Sequence, residues 1–368
     1  MTSRTLRNDT AKRAAGFYFV IHFLLEVVCF YMVTGLAGDA EFIGTVAIIY
    51  NVLAFVPQLL IGAALDLFPK RHFGALGSIL LMTGFFLYFL TGATGALFWV
   101  SLVILCAGNA IIHISGAELT IRSAGSRLSP VAIFVSGGSF GVITGQLMAL
   151  YNVPFVIPAI LGMLTLPLII LSDRLYRDIP ESSSSCTGFD LVSAKRAVAV
   201  VIIASFLIVS VRSWLGYGIP TSWNKTTFQT ILLFTALGAG KAAGGLLADR
   251  IGARKTAFIS ILGAVPFLIF GDRIMIVSLI GILFFSMTMS VTVGMLVSVM
   301  RFAPGAAFGI TTTGLFAGTL AAAIIKSDCL LTNCILIVIS SALCALLASF
   351  ILKPGTSGND IIKKDQGG

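Results

Sequence analysis

The stretch GLLADRIGAR, residues 245–254, has an earlier counterpart in GAALDLFPKR, residues 62–71. Each follows an apolar run and ends on basic residues, and their aspartates, Asp66 and Asp249, stand 183 positions apart in a chain of 368. An offset of half the length marks an internal repeat. Around the first lie apolar runs at about 14–36, 41–65, 73–92, 96–121, 130–151 and 153–172. Around the second lie runs at about 197–220, 228–248, 256–271, 274–300, 304–325 and 332–352. A membrane-spanning helix needs about 20 such residues, so the pattern predicts six spans plus six. Six spans return the chain to its starting side, which makes the halves parallel repeats about an axis normal to the membrane.

Composition agrees with this reading. Hydrophobic residues make up 57% of the chain and charged ones 11%, against about 25% charged in an ordinary soluble domain. A soluble fold is excluded, and no stretch is polar enough to form a separate catalytic domain. The only long polar interior segment, 173–196, carries a serine run too poor in apolar surface to fold alone, and it reads as a linker between a bundle at 1–172 and a second at 197–368. Of the 24 Lys and Arg residues, 19 fall on one side if both termini are cytoplasmic. Three (Lys225, Arg273, Lys326) fall on the other, and Arg212 and Lys241 lie within spans. That asymmetry orients the chain with cytoplasmic termini in a plasma membrane, or an inner membrane in a Gram-negative host. It also accounts for the net charge of +9 without a nucleic-acid partner. The first run is too long for a signal-peptide core and reads as a retained helix. Cys29, Cys106 and Cys344 lie in apolar runs as small buried hydrophobes; Cys329 and Cys334 share a short loop where a disulfide could form if it faces an oxidising space.

Gly245, Asp249, Arg250, Gly252 and Arg254 reproduce Gly-x-x-x-Asp-Arg-x-Gly-x-Arg/Lys, the loop signature that follows span two in the major facilitator superfamily. Gly62, Asp66, Lys70 and Arg71 reproduce it in part, with Leu67 and Pro69 at the other two places. The chain therefore resembles that superfamily, and an all-α membrane fold of twelve transmembrane helices in two parallel six-helix repeats is expected. Read physically, each glycine permits close helix contact, and each aspartate can hold arginine or orphan helix amides across the seam, latching one conformation. Within the superfamily the chain is most similar to the fosmidomycin-resistance-type branch. The likeness rests on His22 and Glu26 four apart in span one, GNAIIH (108–113) in span four, GGSFGVITG (137–145) in span five and RSWLGYG (212–218) in span seven. It departs at Glu26, where that branch has Asp, at Ile114, where it has Pro, and at Gln146, where antiporters usually have Gly-Pro.

Charge at membrane depth costs about 2.5–3.5 kcal/mol even on permissive scales, so each such residue needs a reason. Glu26 lies roughly 18 Å into span one, with His22 one turn nearer the cytoplasm on the same face; Lys241 and Arg212 lie roughly 12 and 24 Å from the inner ends of their spans. The resemblance places spans one, four, seven and ten around a central cavity. Glu26, His22 and His113 are then candidates for proton coupling, and Arg212, Lys241 and Glu26 for binding substrate; a fixed ion pair of Glu26 with Lys241 or Arg212 is the structural alternative. Glu118 and Arg122 are expected to pair locally at i,i+4. Glycines at four-residue spacing in spans five (137, 141, 145), eight (240, 244) and eleven (305, 309 and 314, 318) read either as a sliding seam between the halves or as static close packing.

No phosphate-binding loop, metal-ligand spacing or cofactor motif is present in the sequence, and no enzymatic reaction is expected. The expectation is a monomeric secondary transporter working by alternating access. It would move a small amphipathic or anionic compound across the bilayer, by proton-coupled efflux, as symporter or antiporter. Organic-anion uptake and a non-transporting receptor or scaffold on the same fold are the alternatives.

Overall fold

The computed structural model describes residues 3–36, 40–68, 73–92, 95–177, 188–218, 221–325 and 329–354. Its helices form twelve segments long and apolar enough to cross a membrane. Those of the first half are α1 (Ser3–Thr34), α2 (Ala40–Phe55 continued by Pro57–Asp66), α3 (Gly74–Thr91), α4 (Gly95–Ala124), α5 (Ser129–Leu150) and α6 (Val156–Met163 continued by Thr165–Arg177). The second half follows with α7 (Val198–Gly218), α8 (Thr227–Ile251), α9 (Ala253–Phe270), α10 (Met275–Ser286 continued by Thr288–Val299), α11 (Pro304–Ile324) and α12 (Leu330–Ile351). Lys70 and Arg71 and the serine run at 182–185 lie outside the described residues.

Local chemistry sets the ends and breaks. Thr226 and Gln229 form a capping box that starts α8. Gly252 takes φ 92, a conformation only glycine adopts without strain, and turns the chain from α8 straight into α9. Pro57 interrupts α2, since it has no N–H for the ladder. The α10 break at Met287 has no proline; the carbonyls it loosens are taken by side chains, Phe284 O by Ser260 and Phe285 O by Arg212. Leucines such as Leu60, Leu90 and Leu346 are more than half exposed on the outer helix faces, as lipid contact requires. This is a multi-pass membrane protein.

Within each half α1 packs on α5 and α7 on α11; between the halves α5 packs on α8 and α2 on α11. Most of the four-spaced glycines serve the first kind of contact. A Cβ on Gly137 or Gly141 would lie 2.3 Å from the Phe19 or Phe23 carbonyl of α1, and one on Gly318 would lie 2.1 Å from the Ser210 carbonyl of α7. Gly240 and Gly244 press on α10. These stripes are packing seams inside a half, except that Gly305 and Gly309 of α11 are set against Gly62 and Leu59 of α2 in the other half.

The described part of this polar segment, 188–196, packs against the second half. Phe189, Leu191 and Val192 are buried, Leu191 N–H donates to Ser298 Oγ, and Lys353 N–H donates to the Leu191 carbonyl. The alternation Phe189-Asp190-Leu191 turns two apolar side chains inward and leaves Asp190 outside with Arg301 and Lys353.

Candidate functional site

His22 and Glu26 share a face of α1 because four residues make slightly more than one turn. Opposite them α4 presents Asn109 and His113, again four apart. The structure brings His22, Glu26 and His113 together. The two imidazole Nε2 atoms are 2.8 Å apart, and Glu26 Oε1 lies 3.6 Å from that of His22 and 3.4 Å from that of His113. All three residues are buried.

The remaining ring nitrogens fix the chemistry. His22 Nδ1 faces the Phe134 carbonyl of α5 at 3.0 Å and His113 Nδ1 faces the Asn109 carbonyl at 3.0 Å. A carbonyl only accepts, so both Nδ1 atoms carry hydrogen and donate it. Both Nε2 atoms then present lone pairs to one another and to a carboxylate. Three acceptors converging in a buried space need a shared proton or a metal cation among them, and Glu26 Oε2 has no hydrogen-bond partner of its own. Tyr50 and Asn109 lie beside this carboxylate, and Asn109 Nδ2 donates to Tyr50 Oη at 3.2 Å.

Lys241 of α8 approaches from the other half. Its ammonium donates to Ser139 Oγ of α5 at 2.8 Å, close enough to Glu26 for electrostatic interaction, without an ion pair between them among the described residues. Arg212 does not join this group. Its Nη2 donates to the Phe285 carbonyl at 2.6 Å and its guanidinium lies over the Phe285 ring.

At one end of the bundle two carboxylates cross between the halves. Asp66, at the end of α2, accepts from the Gly305 and Ala306 amides at 2.9 and 2.8 Å, in the first turn of α11. Asp249, near the end of α8, accepts from the Leu128 and Ser129 amides at 2.6 and 3.1 Å, where α5 begins. Each carboxylate satisfies two orphan amides at the positive end of a helix. Gly62 and Gly245 make the approach feasible: a Cβ there would sit 2.3 Å from the Gly305 carbonyl and 2.3 Å from the Ala132 side chain. Arg122, bound to Glu118 at 2.9 Å, also lies 3.7 Å from Asp66. Arg250 is exposed and Arg254 lies over the Phe258 ring at 5.9 Å.

More than nine-tenths of the chain superposes on solved transporters. It matches the human organic anion transporter MFSD10 (TETRAN) with a TM-score of 0.64 at 16% identity, covering 92% of this chain and 99% of that one. It matches FucP, described as a Major Facilitator Superfamily transporter in the outward conformation, with a TM-score of 0.58 at 13% identity and coverage of 91% and 98%. The chain has the major facilitator fold. A bacterial homologue of the iron transporter ferroportin, in an outward-facing state, is similar over 93% of this chain and 98% of its own, with a TM-score of 0.58 at 10% identity. No family model matches. Among curated proteins, the fosmidomycin resistance protein of Escherichia coli (strain K12) is 23% identical over 246 residues, 61% of this chain and 60% of that one. None of these proteins is described as an enzyme.

On the major facilitator fold, Tyr50, Phe134, Gly138 and Ser139 complete the site, and the sequence did not single them out. Gly138 and Ser139 stood within the glycine-rich GGSFG, whose spacing alone announces packing. Tyr50 and Phe134 carried no signal beyond hydrophobicity.

Proposed function

We propose that this chain is a secondary active transporter that moves a small amphipathic or anionic organic compound by alternating access, coupled to protons and in the direction of efflux. The observation that carries the proposal is the pair of cross-half clasps at Asp66 and Asp249. Polar contacts to helix amides can be exchanged for water, whereas an interlocked apolar seam cannot open without exposing its surface. Their end of the bundle carries Arg127, Arg250, Arg254, Lys255, Arg301 and Lys353, which makes it the cytoplasmic end under the positive-inside rule. The described state is then the one closed to the cytoplasm, with Asp66, Asp249, Gly62, Gly245 and Gly252, and the basic residues Lys70, Arg71, Arg250 and Arg254, as the latch.

In this reading His22, Glu26 and His113 share the coupling proton, and Lys241 receives the substrate's negative or polar group, while Arg212 holds the α10 break through the Phe285 carbonyl. Loss of the proton leaves a carboxylate to compete for Lys241, and an arriving anion displaces it. The two bundles, 1–172 and 197–368, move as units about this level while 173–196 bridges them on the cytoplasmic side of the plasma membrane, in a monomer. The likeness to a protein named for fosmidomycin resistance is in keeping with a small organic substrate.

Flux in proteoliposomes with an imposed pH gradient tests this, using a panel of organic anions and amphipathic compounds. Wild type accumulates at least one compound, and Glu26→Gln abolishes gradient-driven accumulation while keeping binding. Accumulation that survives Glu26→Gln contradicts coupling at this residue, and a panel that neither binds nor moves contradicts transport.

A further inference from the structure

We infer that His22, Glu26 and His113 form a binding site for a divalent transition-metal cation. This deepens the reading of the cluster as a cation site and rests on that reading for any role in transport, though not for the binding itself. The three ligand atoms, two Nε2 and Glu26 Oε1, all lie within 4.8 Å of one another. Their separations of 2.8, 3.4 and 3.6 Å define a triangle whose circumscribed radius is about 1.9 Å. A metal bound to imidazole and carboxylate sits about 2.0–2.2 Å from each ligand, so an ion placed just off this plane reaches all three without moving a side chain.

The surroundings match what a metal requires of its ligands. Each histidine donates Nδ1–H to a main-chain carbonyl, Phe134 for one and Asn109 for the other, which fixes the ring and aims the Nε2 lone pair inward. Gly138 keeps the space beside His22 clear, because a Cβ at that position would lie 2.3 Å from Nε2. Glu26 Oε2 is buried without a hydrogen-bond partner and is free to complete the coordination or hold a bound water. Lys241, whose charge opposes a dication, is directed to Ser139.

Two imidazoles and one carboxylate select the ion class. This set suits Zn²⁺, Fe²⁺, Co²⁺ or Ni²⁺, whereas Mg²⁺ and Ca²⁺ call for oxygen ligands. The positions not filled by protein stay open to water or to a coordinating group on a substrate. The sequence marks the three residues as candidates for proton coupling but not as metal ligands, because they come from two helices and His113 follows Glu26 by 87 residues, far outside any local motif.

The full chain is purified in detergent with its tag removed, in a Cys186→Ser, Cys329→Ser, Cys334→Ser background so that thiols outside the spans do not compete. It is titrated with Co²⁺ by visible absorption, and the Co²⁺ is then displaced with Zn²⁺. One Co²⁺ binds per chain with the spectrum of a nitrogen and oxygen ligand set, and Zn²⁺ displaces it one for one. His113→Ala weakens binding by at least about 100-fold. Gly138→Ala, which retains every ligand and fills the cradle, weakens it as well. Glu26→Gln keeps the side-chain volume and guards against misfolding, with thermal melting of each metal-free variant as the control. No saturable one-to-one binding, or equal affinity in wild type, His113→Ala and Glu26→Gln, overturns the inference. Flux measured on the same preparations separates the two readings: transport without metal binding removes this inference alone, and metal binding with no transport of any compound removes the transport reading alone.

Discussion

Arg212 is a buried cation and Lys241 a partly buried one, and their surroundings assign them different work. Lys241 rests on a single neutral hydroxyl, Ser139, so an incoming anion gains a full charge partner at little cost. Arg212 is occupied with a main-chain carbonyl at the α10 break and with the Phe285 ring. Hydrogen bonds to charged groups contribute about 1.5–3 kcal/mol. Lys241→Met is therefore expected to weaken binding of a transported anion by roughly 10–100-fold with little change in thermal stability. Arg212→Met is expected to lower the melting temperature instead, by freeing the Phe285 carbonyl. Binding titrations and melting curves on both variants check this, and the reverse pattern reassigns the substrate cation to Arg212. The sequence showed the i,i+4 pair His22 and Glu26 and the pair Glu118 and Arg122, because helix periodicity alone places them. It left open whether Glu26 pairs with lysine, arginine or histidine, since that choice depends on how α1, α4 and α8 pack.

At the level of elements, glycine spacing identifies close helix contact without naming the partner. Gly137, Gly141 and Gly145 were legible as a small-residue stripe in the sequence; that the stripe faces α1 and not the opposite half follows only from the packing. Gly62 and Gly245 were legible for a stronger reason, because each stands four residues before an aspartate and the pair recurs in both repeats. Gly62→Ala would push a Cβ against the main-chain carbonyl of Gly305, which has no side chain to yield, so α2 and α11 must separate and the Asp66 clasp lengthen. Gly16→Ala meets open space and serves as the control. In the proposed cycle Gly62→Ala favours the cytoplasm-open state, read as faster labelling of a cysteine placed at Ala306, which is buried beside the clasp. Labelling no faster than in Gly16→Ala contradicts the role given to this contact. The inward-facing Phe189 and Leu191 show the opposite limitation: their alternation was present in the sequence, but the neighbouring serines obscured it.

For the whole molecule, the proposed cycle needs two rigid bundles that separate at one end while holding a charged site between them. Twelve spans and their duplication were legible in the sequence because hydrophobic length and repeat offset survive without any tertiary information. The state of the clasps was not, since Asp66 and Asp249 could as well have been read with arginine partners, and only coordinates show them on helix amides. The segment at 188–193, bonded to α10 and to the end of α12, must shift when that end opens. The most direct test is a spin-label distance measurement across the Asp66 clasp in proteoliposomes, with Leu67→Cys and Phe302→Cys in a background lacking the other cysteines; both positions are exposed. The distance distribution is expected to be short and single in the wild-type background, and to gain a longer component with a transported compound or with Asp66→Asn. A distribution that stays short and unchanged while the same protein carries out flux contradicts the account.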